Sequence, residues 1–310
     1  MNRNSAGNNL SNFAILILAF MFMNAPNSFS QDVHIVKSRD ISPYDLAIKG
    51  FISSYGNNVK VSDIEGDTEN GKRIAKKLNK EKPDVIIAVG TLAAVSLKEV
   101  IKDTPVVCLL ISRPEKYFKK SSNYFGVGIN PDPVKQLELV KKVIPGTSKI
   151  GIIHTIGNPN RAIERANSES GKLGMQIIEQ HIDSSSELQD ALIEIRKKTD
   201  LLLLVVDEVV ISEPAIEHII KFSISHRYPI VGFSKKIVMS GALMSSISDY
   251  EEMGAQAAEM VNKILNGKMD AKERFEYPVS SKYVINIRSS ELLNVVIPEE
   301  LFKGANEIYK

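Results

Sequence analysis

The chain has no tryptophan, a single cysteine among 310 residues, and only 6% aromatic side chains. One cysteine, Cys108, excludes a disulfide within the chain, and with it any disulfide-stapled scaffold. It lies in the apolar run "PVVCLLI", which predicts a buried, inert thiol. A net charge of +2 gives no electrostatic case for nucleic acid, and clusters such as Lys119-Lys120 and Lys141-Lys142 are too short to be more than solvated faces. The five histidines, His34, His154, His181, His218 and His226, fall in no metal-ligand spacing.

Motifs for enzymatic chemistry are missing too. A dinucleotide site needs G-x-G-x-x-G directly after a strand. Gly90 stands alone, and Gly126-Val127-Gly128 runs on to Asn130-Pro131. Gly146-Thr147-Ser148-Lys149 looks faintly like the end of a Walker A loop, but lysine occupies position 141, where the first glycine would stand. There is no G-x-S-x-G elbow. An enzyme is not expected, and neither a cofactor nor a metal.

What is present begins with an export signal. Residues 1–12 are polar with one cation, Arg3; residues 13–23 are an unbroken apolar run, "FAILILAFMFM", too short to span a bilayer. Small residues Ser28 and Ser30 follow at signal-peptidase spacing. The pattern predicts a signal peptide over 1–30, cleavage near Ser30–Gln31, and a periplasmic protein. No cysteine follows the run, so no lipid anchor is expected.

The rest alternates short β-branched runs with amphipathic stretches. Eleven strands are expected, at 33–36, 59–64, 84–89, 106–111, 124–129, 149–155, 175–182, 201–206, 228–233, 242–248 and 283–287. The helix over 133–143 aligns Val134, Leu137, Val140, Val143 and Ile144; the one over 250–266 aligns Met253, Ala257, Met260, Val261 and Ile264. Eleven strands exceed one simple doubly wound sheet. The expected fold is therefore α/β, with two doubly wound parallel-sheet lobes. Ser42-Pro43, Asp132-Pro133 and Asn158-Pro159 read as helix caps followed by proline, Thr91 as a cap without it, and Ser212 as a cap with Pro214 in the first turn. Such helix starts line a cleft rim that favours anionic groups.

Five segments, residues 37–51, 82–107, 125–154, 240–268 and 295–308, resemble the ABC-transporter substrate-binding proteins of the TrpX-like family, in order along nearly the whole chain after residue 30. The most specific are the Gly-Thr-x-Ala-Ala turn at Gly90 and the Ser-Gly-Ala-Leu…Asp-Tyr stretch from Ser240. The resemblance implies a type I periplasmic-binding-protein architecture, two lobes joined by three hinge crossings and closing on a small molecule. The expected lobes are 32–129 with 248–275, and 130–247 with 276–310. The implied partners are an aromatic amino acid or related carboxylate and a membrane permease, the protein itself acting as a monomer.

The implied ligand-binding residues are Tyr44, Gly90, Thr91, Ser112, Arg113, His154, Asn158, Asn160, Arg161, Asp207, Ser234 and Asp249. Gly90 and Thr91 would hold a carboxylate at a helix start, and Asp207 an ammonium. The chain departs from the family pattern at Ser112-Arg113-Pro114, where Thr-Asp-Pro is usual, and at Asn158, where an acid is usual. Arginines 113 and 161 favour a ligand with an exposed carboxylate. A periplasmic sensor that reports ligand occupancy to a membrane signalling partner is the alternative reading. A LacI-type regulator would need a helix-turn-helix head where this chain has an export signal.

Overall fold

A computed structural model describes residues 31–56, 58–156, 160–270, 274–279 and 281–310. The expected signal peptide and Asn158 lie outside them. Among the described residues no helix is long and apolar enough to cross a membrane.

The β-branched runs form two sheets. The first contains β1 (Val33–Lys37), β2 (Val59–Asp63), β3 (Val85–Val89), β4 (Val106–Ile111), β5 (Tyr124–Gly128) and β11 (Phe275–Glu276), in the order β11-β5-β4-β3-β1-β2, all parallel. The second contains β6 (Lys149–Thr155), β7 (Gln176–Ile182), β8 (Leu201–Leu203), β9 (Ile230–Val231), β10 (Met244–Ser248), β12 (Ser281–Asn286) and β13 (Glu307–Tyr309), in the order β13-β12-β10-β9-β8-β6-β7. Its one antiparallel pair is β10 with β12. The strands of the first sheet's centre are apolar at every position, as burial on both faces requires.

Helices cover both faces of each sheet. On the first, α1 (Ser42–Tyr55) and α10 (Tyr250–Leu265) fill one side around Phe51, Met253 and Met260; α2 (Thr68–Glu81) and α3 (Thr91–Lys98) fill the other around Leu78 and Leu97. On the second, α5 (Pro133–Val143) and α6 (Arg161–Ser170) oppose α7 (Leu188–Arg196) and α8 (Glu213–His226). Short helices complete the chain: α4 (Pro114–Phe118), α9 (Lys235–Met239), α11 (Ile287–Leu293) and α12 (Glu299–Gly304).

Helices α1 and α10 pack backbone to backbone. A Cβ added at Gly254 would lie 2.0 Å from the Ala47 carbonyl oxygen, and one at Gly50 1.9 Å from that of Glu251. Only glycine permits this approach, and it anchors α10, which follows a strand of the second sheet, onto the first lobe.

The chain passes between the lobes three times: after β5, after β10 and after β11. Ser248 Oγ donates to the Ile129 carbonyl at 2.7 Å, tying the first crossing to the second. Gln256 on α10 donates to Glu276 at 2.7 Å and to the Tyr277 carbonyl at 3.0 Å, and accepts from the Val279 N–H at 3.1 Å, so the third crossing is held as well.

Candidate functional site

Strand order locates the site before any side chain is considered. In the first sheet the order reverses at β1 and β3; in the second it reverses at β6 and β8. At such a reversal the following helices leave to opposite faces, and a crevice opens at the carboxyl ends of the strands. The described segments there are 38–44, 90–91, 155–156, 160–161 and 204–211.

At the first crevice Tyr44, Gly90 and Thr91 come together with Ser38. Gly90 has φ of +87°, and a Cβ there would lie 2.4 Å from the Tyr44 hydroxyl and 2.6 Å from Ser38 Oγ. Glycine is thus required both by the backbone and by close approach. The structure corrects the assignment of Thr91 as the cap of α3. Buried Ser38, reaching from the end of β1, accepts from the Ala93 N–H at 2.9 Å and donates to the Val89 carbonyl at 2.9 Å. Thr91 is itself the first residue of α3 and is half-buried at its mouth.

Strand β4 ends irregularly. Leu110 has φ of +59° at a register shift against β5, and Arg113 has φ of +52°. Bulged and left-handed residues re-aim a strand end, commonly beside a binding site. Here they turn Ser112 and Arg113 toward the first crossing, where Asn130 Nδ2 donates to Ser112 Oγ at 3.0 Å.

In the second lobe the cap of α6 is Asn160, and Asn158 falls outside the described residues. Asn160 Oδ1 accepts from the Ala162 N–H at 3.1 Å, while its Nδ2 donates to the Val206 carbonyl at 3.2 Å. Arg161 donates to the Phe275 carbonyl and lies over the Tyr277 ring, 4.8 Å from its centroid. Arg165 clamps Asp132 through two bonds of 2.8 and 2.7 Å, and Asp132 also caps α5 by accepting from the Val134 N–H. Ser234 precedes α9, and Asp249 caps α10 and pairs with Lys282 at 2.7 Å.

Two expected ligand residues are corrected. Asp207 is buried, and its carboxylate accepts from the Thr155 N–H at 3.0 Å, the Thr155 hydroxyl at 2.7 Å, and the Val209 and Val210 N–H groups at 3.0 and 3.3 Å. A carboxylate has about four lone-pair sites, so none is left for an ammonium. Burial works to raise its pKa, yet these hydrogen bonds outweigh burial and hold it below the ordinary value. Asp207 pins β6 to the loop after β8. His154 is turned sideways along the sheet, its Nε2 2.8 Å from Glu179 Oε2 on β7.

Two cavities meet at the crossings. One is walled by Arg113, Glu115, Asn160, Arg161, Glu276 and Tyr277, with apolar surface from Leu203, Leu204, Val205, Val206 and Phe233. The other is walled by Leu46, Ser112, Ser234, Asp249, Tyr250 and Lys282. Asn130, Val206 and Phe233 line both. Single-sequence reasoning missed Asn130, Phe233, Glu276 and Tyr277. Phe233 had a legible signal, as the end of an apolar run; Asn130 and Tyr277 sit in crossings without periodicity, and Glu276 in a strand of two residues. The first cavity is apolar in the main with a few convergent polar groups, the kind of lining usual for a ligand pocket. It offers cations, carboxylates and two aromatic rings.

Two doubly wound lobes, three crossings and a cavity at their junction define a two-lobed binding protein of the type I periplasmic class. The family profile described as "ABC transporter substrate binding protein" matches residues 47–309, and the chain belongs to that family. It is 29% identical to the tyrosine-binding protein of Clostridioides difficile (strain R20291) over 241 residues, covering 72% of this chain and 69% of that one. Among solved structures, the ligand-free, open form of a Clostridium difficile substrate-binding protein with adhesive properties is similar at a TM-score of 0.68 and 21% identity, covering 90% of this chain and 99% of that one. An ABC domain from Streptococcus pneumoniae in complex with L-tryptophan is similar at a TM-score of 0.54 and 23% identity, covering 89% and 100%. These likenesses establish the fold.

Proposed function

We propose that the protein captures an aromatic amino acid, or a closely related aromatic carboxylate, between its lobes and delivers it to a membrane permease from the periplasm, acting as a monomer. The observation that carries the reading is the cavity at the crossings, whose lining holds Arg113, Arg161, Glu115 and Glu276 together with Tyr277 and Phe233. Guanidinium groups match a carboxylate, the acids match an ammonium, and the rings match an aromatic body. The 29% identity to a tyrosine-binding protein supports the same class. With Asp207 saturated, Glu115 takes the ammonium role. Lobes of 32–129 with 248–275, and of 130–247 with 276–310, close on the ligand, because a ligand touching both is favoured by the closed form.

Calorimetric titration with tyrosine, tryptophan, phenylalanine and their deaminated acids tests this. At least one is expected to bind with a Kd of about 1 μM, or about −8 kcal/mol. Arg161→Ala is expected to weaken it more than tenfold. Tighter binding of the deaminated acid than of the amino acid would remove the ammonium and Glu115 from the reading. Failure of all of them to bind would overturn it.

A further inference from the structure

No pair of histidines has ligand spacing along the chain, but the pairing of β6 with β7 creates one across it. His154 and His181 are register partners, and Glu179 lies two residues before His181 on the same face of β7. His154 Nε2 is 2.8 Å from Glu179 Oε2, and the two imidazoles meet edge to face with centroids 4.5 Å apart. One ligand atom from each of the three side chains lies within 4.8 Å of the others.

The two nitrogens of His154 both face oxygen. Nδ1 is 3.1 Å from the Thr155 carbonyl and Nε2 faces Glu179. A neutral imidazole has one N–H. With that hydrogen on Nε2 the ring donates to Glu179; with it on Nδ1 and directed at the carbonyl, Nε2 presents a lone pair to the carboxylate, and a metal ion between the two completes the contact. A histidine whose other nitrogen donates to a backbone carbonyl is the usual form of a metal ligand. The carboxylate is oriented too, because Asn167 Nδ2 donates to Glu179 Oε1 at 2.7 Å and leaves Oε2 toward His154. Strand β7 is the edge of its sheet, and Glu179 and His181 are exposed, so water can complete the coordination.

We propose that His154, Glu179 and His181 bind a divalent first-row transition ion of the zinc type. Two imidazoles and one carboxylate suit Zn(II); magnesium and calcium prefer sets of oxygen ligands. Bonds of about 2.0–2.2 Å place tetrahedral ligands about 3.4 Å apart. Rotation of the two exposed side chains supplies the approach needed. The ion would clamp β6 to β7 one residue before Thr155, which holds Asp207 at the cleft wall.

Titration of the untagged, chelator-stripped protein with zinc chloride tests the site. One equivalent is expected to bind with a Kd of about 10 μM or tighter. His181→Ala and Glu179→Ala, both at exposed positions that leave the core intact, are each expected to weaken binding at least tenfold, and His218→Ala to leave it unchanged. Zinc is expected to raise the unfolding midpoint of the wild type and not of His181→Ala. Absence of saturable binding up to about 1 mM would show a plain imidazolium–carboxylate pair and overturn the proposal. So would binding undiminished in both variants.

Discussion

Ser38 and Thr91 exchange roles between what local sequence implies and what the fold builds. Thr91 stands where an N-cap is expected, but the donor at Ala93 is taken by a hydroxyl 55 residues away, which also bonds Val89. Ser38→Ala should therefore lower stability by about 2 kcal/mol, one lost cap and one further buried hydrogen bond. Thr91→Ala should change stability by less than about 0.5 kcal/mol. Thermal and urea unfolding of the two variants checks the pair, and a cost for Thr91→Ala equal to that of Ser38→Ala would contradict it. Because Thr91 does not hold its helix, any loss of ligand affinity in Thr91→Ala reports a contact with ligand. Asp207 teaches the same lesson: its position after a strand was legible, but the four donors that saturate it come from two separate segments.

The elements were legible where periodicity is strong. The helix over 133–143 begins and ends as its apolar spacing and Asp132-Pro133 predict. The run "LLLLVV" is longer than its strand, which stops at Leu203. Leu204 and Val205 continue into the cores on the two faces of the sheet, and with Val206 they also wall the cavity. Strands β11 and β13 were not legible at all. At two and three residues they have no period, and exist only through pairing with β5 and β12. The contact of α1 with α10 also has no local signature beyond two glycines 204 positions apart (Gly50 and Gly254). Gly254→Ala should wedge the helices apart and cost about 3 kcal/mol, in the range of overpacked cores. A fall in the urea midpoint with unchanged slope would confirm it, and wild-type stability would refute the backbone contact.

At the scale of the whole molecule, contacts between lobes decide how the cleft behaves. Lys116 on α4 of the first lobe pairs with Glu208 of the second, and Arg161 reaches the Phe275 carbonyl at the third crossing. The Lys116–Glu208 pair is exposed on both sides, so its attraction is screened by salt. Glu208→Lys should expand the ligand-free protein, read as a larger radius of gyration in X-ray scattering at low ionic strength. The difference from wild type should vanish near 1 M salt, where the screening length is about 3 Å. An unchanged radius at low salt would show that the pair does not bias the lobes.

The βα alternation, the two-lobed class and the resemblance to substrate-binding proteins could be read along the chain alone, because hydrophobic period and helix-start chemistry are local. Which of the candidate residues line the cavity at the crossings, and which are spent on internal bonds, depends on tertiary structure. It spent Asp207 on backbone donors, turned His154 toward β7, gave the cap of α3 to Ser38, and gathered Arg113, Arg161 and Tyr277 around one cavity. Each of those outcomes depends on strand order and register between distant segments, and neither is written in the spacing of neighbours along the chain.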